Sequence, residues 1–434
     1  MSEAASKVGS GRRHVAILAN TLWMLAEYSL KIVSGIFVSI YVARYLGPSD
    51  FGQLSYALAI VSIFMAISRL GMESILVRDM SSFPEMRKEY QGTAFALMLC
   101  ASMVSIATLA GFVIGFENDE GQKWLVGVIA IGMIFQPLMV VDYGFQANVA
   151  AKFSSIAKTL SLAISSAVKV YLVLSDAGLK GLAIAYAFDQ FLVASLLLAM
   201  HLIKRQSGFF FKMKVKLIAP LLKSAFPLTL SAVASILYTR VDQLMIKHML
   251  DSGALGVYSS AVKIYEGWVI IPYVISISLL PEIVGLKLRS EQEYRNKMTK
   301  LFSVMFWVGV LVALFSTMYG DLIIRLTFGS QYTGASSSLA IIMWAAAFTG
   351  IGSVSARYLT VEGLEKNIAI RTVVALLVNI SLNLLLIPKY GIDGAAAATL
   401  ITVIVANYFM NYVGSEVRGL SKICNDAIIF KFKN

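Results

Sequence analysis

Long apolar stretches, separated by short polar ones, run through nearly the whole chain. A helix needs about 20 mostly apolar residues to cross the hydrocarbon core of a bilayer. Several stretches exceed that length, which allows for tilt or for extension beyond the bilayer. The pattern predicts twelve transmembrane helices, near 18–44, 52–77, 91–115, 123–147, 156–175, 181–203, 221–249, 255–284, 300–319, 335–357, 368–387 and 393–413.

The composition favours a membrane protein over a set of soluble domains. Hydrophobic residues make up 58% of the 434 residues and charged residues 14%, with a mean hydropathy of +0.75, whereas a soluble domain carries about 25% charged residues. The net charge of +12 would suggest nucleic acid binding in a soluble protein. Lys and Arg in loops on one membrane face explain it better, so no nucleic acid partner is expected.

The distribution of Lys and Arg predicts the orientation. With the N-terminus in the cytoplasm, 26 of the 37 Lys and Arg residues fall on the cytoplasmic side, six on the outer side and five inside helices. This count places Lys152 and Lys158 on the cytoplasmic side. Because cytoplasmic loops carry such an excess, both termini are expected in the cytoplasm. An odd number of helices would distribute the Lys and Arg residues over both sides of the membrane, so the count also supports an even number.

Two loop motifs recur along the chain. The sequence LGPSDFGQLSYA at 46–57 aligns with LDSGALGVYSSA at 250–261 at an offset of 204, and GLKGLAIA at 178–185 aligns with GIDGAAAA at 391–398 at an offset of 213. The near-equal offsets indicate a duplication, so we expect two six-helix lobes related by a pseudo-twofold axis along the membrane normal. The predicted divisions are an N-terminal lobe, a basic cytoplasmic linker lying on the inner leaflet, a C-terminal lobe and a cytoplasmic tail, at 1–203, 204–217, 218–413 and 414–434.

Charged residues occur inside the predicted helices, where each costs about 2.5–3.5 kcal/mol on insertion scales. There are eleven: Glu27, Lys31, Arg69, Glu73, Asp142, Lys169, Asp189, Arg240, Asp242, Lys263 and Glu266. Most must therefore line a wet cavity or pair with one another. Spacings of three or four residues predict pairs on three helix faces: Glu27 with Lys31, Arg69 with Glu73, and Lys263 with Glu266. Arg240 and Asp242 point in directions about 200° apart, so one can line a cavity while the other contacts a neighbouring helix.

No motif of enzyme chemistry is present. The sequence contains no G-x-x-x-x-G-K-[ST], H-E-x-x-H or G-x-S-x-G motif, and its two Cys and three His residues form no cluster. The longest predicted outer loop, near 320–334, is short, whereas a membrane glycosyltransferase or polymerase usually needs a sizeable aqueous domain. We therefore expect a transporter, not an enzyme, with no cofactor and no metal.

Three regions carry a family resemblance. The first is YVARYLGPSDFGQLSYALAIVSIF (41–64), followed by GMESILVRDM (71–80). The others are RVDQLMIKHMLDSGALGVYSSAVKIYE (240–266) and LNLLLIPKYGIDGAAAATLIT (382–402). They resemble the polysaccharide-export flippases of the multidrug/oligosaccharidyl-lipid/polysaccharide exporter superfamily. The resemblance implies an all-α, V-shaped bundle of two six-helix lobes. It also implies transport of undecaprenyl-diphosphate-linked oligosaccharides from the inner to the outer leaflet of the bacterial plasma membrane. O-antigen units are the commonest substrate of such proteins, and capsule or exopolysaccharide units are close rivals.

A diphosphate headgroup would need cations at membrane depth. Arg holds phosphate oxygens in a bidentate manner and Lys supplies a point charge, so the expected substrate-binding residues are Lys31, Lys169, Arg240 and Lys263. Uphill transport would couple to H⁺ or Na⁺ through a carboxylate, for which the candidates are Glu27, Asp142 and Asp189. Alternating access would follow from rocking one lobe against the other. Polysaccharide polymerase machinery is a further expected partner, and the alternative function is a drug or metabolite cation antiporter of the same superfamily.

Overall fold

The computed structural model describes residues 2–204, 208, 210 and 212–429; for residues 2–22 and 415 it describes the backbone alone. Parts of the predicted linker (205–207, 209 and 211) and of the predicted tail (430–434) lie outside the described residues. Within the described ranges all regular structure is helical, which confirms the all-α prediction. The α-helices are α1 Ser2–Ser68, α2 Met72–Ser82, α3 Arg87–Phe116, α4 Glu120–Ile131, α5 Val140–Ala147, α6 Ala151–Leu174, α7 Gly178–Ile203, α8 Ile218–Met249, α9 Ser252–Ser278, α10 Leu280–Arg289, α11 Glu291–Thr327, α12 Ser336–Met343, α13 Ala345–Val361, α14 Glu365–Asn407 and α15 Arg418–Ile428.

In the described part of the chain, the helical segments able to cross a membrane do not correspond one to one with the twelve predicted helices. Nine segments of the described chain are long and apolar enough, and a tenth is added if α12 and α13, which meet at a bend of 43°, form one span. Two of the nine are far longer than a single crossing requires: Trp23–Ser82 has 60 residues and Glu365–Tyr412 has 48.

Each of these two long segments contains a backbone break. Gly47 has φ 75° and ψ 172° inside α1 and is followed by Pro48. Gly391 has φ 58° and ψ −135° inside α14. A positive φ is readily adopted by Gly and interrupts the helical backbone. The first break falls between the predicted helices 18–44 and 52–77, and the second falls between 368–387 and 393–413.

The chain forms two compact units. Unit 1 comprises residues 1–38 and 57–233, and unit 2 comprises residues 39–56 and 234–434. The units differ from the predicted lobes at two places, because 39–56 groups with the second half of the chain and 218–233 with the first. The lobes at 1–203 and 218–413 therefore stay a prediction from helix counting.

Each unit has its own buried apolar core. In unit 1 the core joins α2, α3, α5, α6, α7 and the start of α8, and it includes the fully buried Leu76, Met98 and Phe145. In unit 2 a core joins α10, α11, α13 and α15 around Met298 and Phe302. These cores fix the helices from which the charged side chains described below project.

Helix α15 was not predicted from the sequence. Its apolar residues Leu420, Ile423, Cys424 and Ala427 follow the i, i+3, i+4, i+7 pattern of an amphipathic helix, and all four are buried in the unit 2 core. Burial raises the pKa of the Cys424 thiol to about 12 and keeps it uncharged. With eleven residues, α15 is too short to appear in a search for membrane spans.

Two glycines of the repeated motif make a reciprocal contact within unit 2. A Cβ atom added to Gly52 would lie 1.7 Å from the backbone oxygen of Ser252, and one added to Gly256 would lie 1.8 Å from that of Pro48. Gly52 aligns with Gly256, and Pro48 aligns with Ser252, at the same offset of 204. The contact is thus two-fold symmetric between the repeats, and only Gly permits the two backbones to approach so closely.

Candidate functional site

In unit 1, the Lys158 side chain contacts two carboxylates that come from two other helices. The Lys158 Nζ atom on α6 lies 3.1 Å from Glu27 Oε2 on α1 and 3.1 Å from Asp142 Oδ2 on α5. The three side chains are 18%, 13% and 3% exposed, respectively. Gln146 donates a further hydrogen bond of 3.2 Å to Asp142 Oδ2. One ammonium therefore faces two carboxylates, and this group, here named the Lys158 cluster, keeps an excess negative charge.

The Lys158 cluster corrects one prediction. Glu27 pairs with Lys158 on another helix, and no ion pair joins it to Lys31 among the described side chains. Lys158, which the charge count above puts on the cytoplasmic side, lies within α6, and its ammonium is inside the cluster. Helical spacing could not indicate either contact, because the partners lie on different helices far apart in sequence.

We expect Lys158→Met to destabilise the protein by about 3–5 kcal/mol, because it leaves two buried carboxylates without their counter-charge. Thermal unfolding of the purified protein in detergent measures the effect. Adding Glu27→Gln and Asp142→Asn removes both carboxylates, so the triple variant should recover most of the loss. Lys152→Met, which removes an exposed Lys from the same helix, is the matched control. A Lys158→Met variant as stable as this control would contradict the role of the cluster.

Two of the charged residues predicted inside the helices, Lys31 and Arg69, have no carboxylate partner among the described side chains. Lys31 on α1 and Arg69 just after α1 are exposed, and within the described part of the chain neither has a carboxylate oxygen within 4 Å. Their charges are close enough to interact electrostatically, and Lys31 also interacts with Glu27, Lys158 and Asp189. Arg69 Nε donates to a side-chain amide, Gln136 Oε1, at 3.0 Å. Lys31 and Arg69 thus place two positive charges, neither of them in a direct ion pair, next to the Lys158 cluster and its one excess negative charge.

The predicted pair of Arg69 with Glu73 is wrong, and the backbone shows why. Leu70 and Gly71, which lie between them, have φ of 52° and 56°. The two left-handed residues separate α1, which ends at Ser68, from α2, which begins at Met72, so the i, i+4 geometry of a continuous helix is lost. Glu73 instead accepts a hydrogen bond of 3.4 Å from Gln146, and Arg69 donates to Gln136.

Lys169 and Asp189 neutralise each other. The Lys169 ammonium on α6 forms a short ion pair with the Asp189 carboxylate on α7. Ser165 donates to the same carboxylate, and the Lys169 ammonium lies 4.0 Å from the centre of the Tyr186 ring. The Lys169 side chain is only 7% exposed. In this arrangement Lys169 offers no free positive charge to an anion.

The charged triad of unit 2 comprises Arg240, Lys263 and Glu266. Arg240 Nη1 on α8 lies 2.8 Å from Glu266 Oε1, and Lys263 Nζ lies 2.7 Å from Glu266 Oε2, both acceptor atoms belonging to α9. The Lys263–Glu266 pair confirms the prediction from i, i+3 spacing. Each side chain is about a quarter to a third exposed. Two cations share one carboxylate, so the triad keeps an excess positive charge.

Asp242 has a different environment from Arg240, as their angular separation on the helix predicts. It is 6% exposed. Its Oδ2 accepts a short hydrogen bond from the Tyr258 hydroxyl on α9, and its Oδ1 accepts one of 2.8 Å from the Gln243 backbone N–H. Asp242 therefore joins α8 to α9, while Arg240 reaches the partly exposed triad.

The seven predicted site residues thus fall into three groups. Glu27 and Asp142 belong to the Lys158 cluster, Lys169 and Asp189 form a closed pair, and Arg240 and Lys263 belong to the unit 2 triad. Lys31 lies beside the first group, and its ammonium has no direct ion pair among the described side chains. The sequence did not identify Lys158 as a site residue, and it wrongly predicted an ion pair between Arg69 and Glu73. Gly71, which follows a long apolar run, could have indicated that the helix ends near Arg69.

Comparison with known proteins places this arrangement in a family. The family described as "Polysaccharide biosynthesis protein" matches residues 17–286. A putative O-antigen transporter of Shigella flexneri is 21% identical over 90% of this chain and 96% of its own length. The capsular polysaccharide biosynthesis protein CapF of Staphylococcus aureus is 23% identical over 91% of this chain and 99% of its own length.

A solved structure shows the fold. The lipid II flippase MurJ, in an inward closed conformation, superposes with a TM-score of 0.74 at 17% sequence identity, covering 95% of this chain and 92% of its own. At that identity the likeness is one of fold alone. The family match covers more than half of the chain and agrees with the stretches that carry the resemblance. The chain therefore belongs to the polysaccharide biosynthesis protein family.

Proposed function

We propose that this protein is a flippase for undecaprenyl-diphosphate-linked oligosaccharide repeat units. It moves them from the inner to the outer leaflet of the bacterial plasma membrane by alternating access. O-antigen units are the first choice of substrate and capsule or exopolysaccharide units the second. The names of the relatives from Shigella flexneri and Staphylococcus aureus support these two classes.

The observation that carries the proposal is a set of cations in the membrane segments that have no carboxylate of their own. Lys31 and Arg69 have no carboxylate within 4 Å among the described side chains, and the unit 2 triad has two cations for one carboxylate. A charge facing lipid costs about 2.5–3.5 kcal/mol on insertion scales, so such groups are retained where they meet water or an anion. A diphosphate supplies the anion, and a polyprenyl chain can stay in the lipid.

The proposed topology has twelve crossings with both termini in the cytoplasm. At about 1.5 Å per residue, the segments Trp23–Ser82 and Glu365–Tyr412 extend to about 90 and 72 Å, two to three times the bilayer core of about 30 Å. Their breaks at Gly47 and Gly391 divide each into two crossings. The ten candidate spans then become twelve, the even number that the segregation of Lys and Arg requires.

In the proposed mechanism, the diphosphate-binding residues are Lys31 and Arg69 in unit 1 and Arg240 and Lys263 in unit 2. Lys169 becomes available only when Asp189 takes up a proton, because the carboxylate otherwise holds its ammonium. Asp189 is therefore our preferred coupling residue if the ion is H⁺. Glu27 and Asp142 remain candidates, since they share one ammonium between them and can accept a further positive charge, either H⁺ or Na⁺.

A genetic test separates this function from that of a drug or metabolite cation antiporter. In a strain lacking its own repeat-unit flippase, expression of the protein should restore surface polysaccharide and leave resistance to cationic dyes unchanged. An antiporter would raise dye resistance and leave the surface bare. That second pattern would overturn the proposal.

A further inference from the structure

One part of the chain is strongly basic and contains no acidic residue. Between Asp189 and Asp242 the sequence has no Asp or Glu, but it has six Lys or Arg residues before Arg240. Four of them, Lys204, Lys212, Lys214 and Lys216, lie at or between the ends of α7 and α8 and are exposed. The proposed topology puts this region on the cytoplasmic side of the membrane.

Residues 212–216 have the sequence Lys-Met-Lys-Val-Lys, which alternates basic and apolar side chains. Lys214 has extended backbone angles, φ −122° and ψ 107°. Successive side chains of an extended segment point to opposite sides, so Met213 and Val215 flank Lys214 on the side opposite its ammonium, and a short 3₁₀ helix begins at Val215. Met213 and Val215 are 49% and 73% exposed, and the protein thus leaves both apolar side chains uncovered.

Two contacts hold this region against α3. The Lys214 backbone N–H donates a hydrogen bond of 3.0 Å to the hydroxyl of the fully buried Thr93. The Phe210 ring packs edge-on against Phe95 at a centroid distance of 5.2 Å. Thr93 is six residues beyond Arg87, where α3 begins, which corresponds to about 9 Å along the helix. With the start of α3 placed at the headgroups, this distance falls within the 5–10 Å over which an interfacial segment buries its apolar face.

We propose that residues 212–216 form a docking site for anionic phospholipid headgroups of the cytoplasmic leaflet. The three lysines contact lipid phosphates, while Met213 and Val215 insert among the acyl chains. Basic residues beside an anionic leaflet are attracted by its negative surface potential, and no acidic side chain in this stretch of sequence opposes that attraction. The site is independent of the transported substrate, because it requires only bulk lipid.

The test uses the purified full-length chain and an equimolar mixture of phosphatidylglycerol and phosphatidylcholine. Native mass spectrometry measures which lipid the protein retains. The wild type should prefer phosphatidylglycerol, and the preference should fall as salt is raised, because salt screens exposed charges. Lys212→Gln, Lys214→Gln and Lys216→Gln together should weaken retention of phosphatidylglycerol by at least tenfold.

A matched control removes the same charge elsewhere. Lys300→Gln, Lys366→Gln and Lys422→Gln neutralise three exposed lysines scattered over α11, α14 and α15, and this variant should keep the preference. Equal loss in both triple variants, or a wild type without a preference, would overturn the proposal. So would a 212/214/216 variant that keeps its preference but no longer exports polysaccharide, since the lysines would then serve the transported lipid. If the variant does not fold, the salt series on the wild type is the test: a preference for phosphatidylglycerol that does not fall as salt is raised would overturn the proposal.

Discussion

Replacing Gly52 with Ala should prevent the protein from folding. The added Cβ atom would lie 1.7 Å from the Ser252 backbone oxygen and 2.9 Å from the Gly256 nitrogen. Both are backbone atoms, so no side-chain rotation can relieve the overlap, and the helices must move apart. Overpacking a core typically costs 1–3 kcal/mol. We expect a cost above about 5 kcal/mol here, comparable with the whole stability of many proteins.

The reciprocal variant should behave in the same way. In Gly256→Ala the new Cβ atom would lie 1.8 Å from the Pro48 backbone oxygen. The measurement is the amount of monodisperse protein recovered by fluorescence-detected size-exclusion chromatography. Gly35→Ala and Gly111→Ala are matched controls, because these helical glycines have no atom within 4 Å of an added Cβ. The controls should be neutral or slightly stabilising. Normal recovery of both Gly52→Ala and Gly256→Ala would show that the repeats do not meet as described.

Replacing Arg240 with Ala should abolish export without preventing insertion. Glu266 keeps its contact with Lys263 at 2.7 Å, so the variant leaves no carboxylate unpaired at the triad. What is lost is the guanidinium fork that can hold two phosphate oxygens. Loss of charge-assisted hydrogen bonds worth about 3 kcal/mol corresponds to a fall in export of at least 100-fold. Surface polysaccharide in a complemented flippase-deficient strain measures it.

Two further variants give the Arg240 result its meaning. Arg240→Lys keeps the charge but loses the fork, so export should be intermediate. Arg325→Ala removes an arginine from an exposed i, i+4 pair with Asp321 on α11, where such pairs contribute little, and export should stay normal. Wild-type levels of surface polysaccharide with Arg240→Ala would remove Arg240 from the mechanism.

Local sequence patterns predicted much of the fold. The lengths of the apolar runs predicted the helices, and the predicted loops near Gly47 and Gly391 coincide with the backbone breaks. Helices and breaks could be predicted in this way because each depends on residues that are neighbours in sequence. The repeat offset of 204 even aligned Gly52 with Gly256, which turn out to be in contact. Helix α15 escaped because an eleven-residue amphipathic helix gives no hydropathy signal.

The candidate site was less predictable because its contacts are not local. The i, i+3 pair of Lys263 and Glu266 was predicted correctly, since a continuous helix brings the two together. Pairings across helices, such as Lys158 with Glu27, depend on tertiary packing that spacing does not encode. Arg69 was assigned to Glu73 on the assumption of an unbroken helix, and the left-handed Leu70 and Gly71 remove that assumption.

The central claim is that cations in the membrane segments that have no carboxylate of their own bind a diphosphate-linked lipid and carry it across. The most direct measurement uses the purified protein in sealed vesicles loaded with radiolabelled undecaprenyl-diphosphate oligosaccharide, and follows how much of the glycan becomes accessible to a soluble glycosidase on the opposite face. We predict rapid exposure with the wild type and exposure no faster than in protein-free vesicles with the Lys31→Ala/Arg69→Ala double variant. Equal exposure by the wild type and by this folded double variant would contradict the claim.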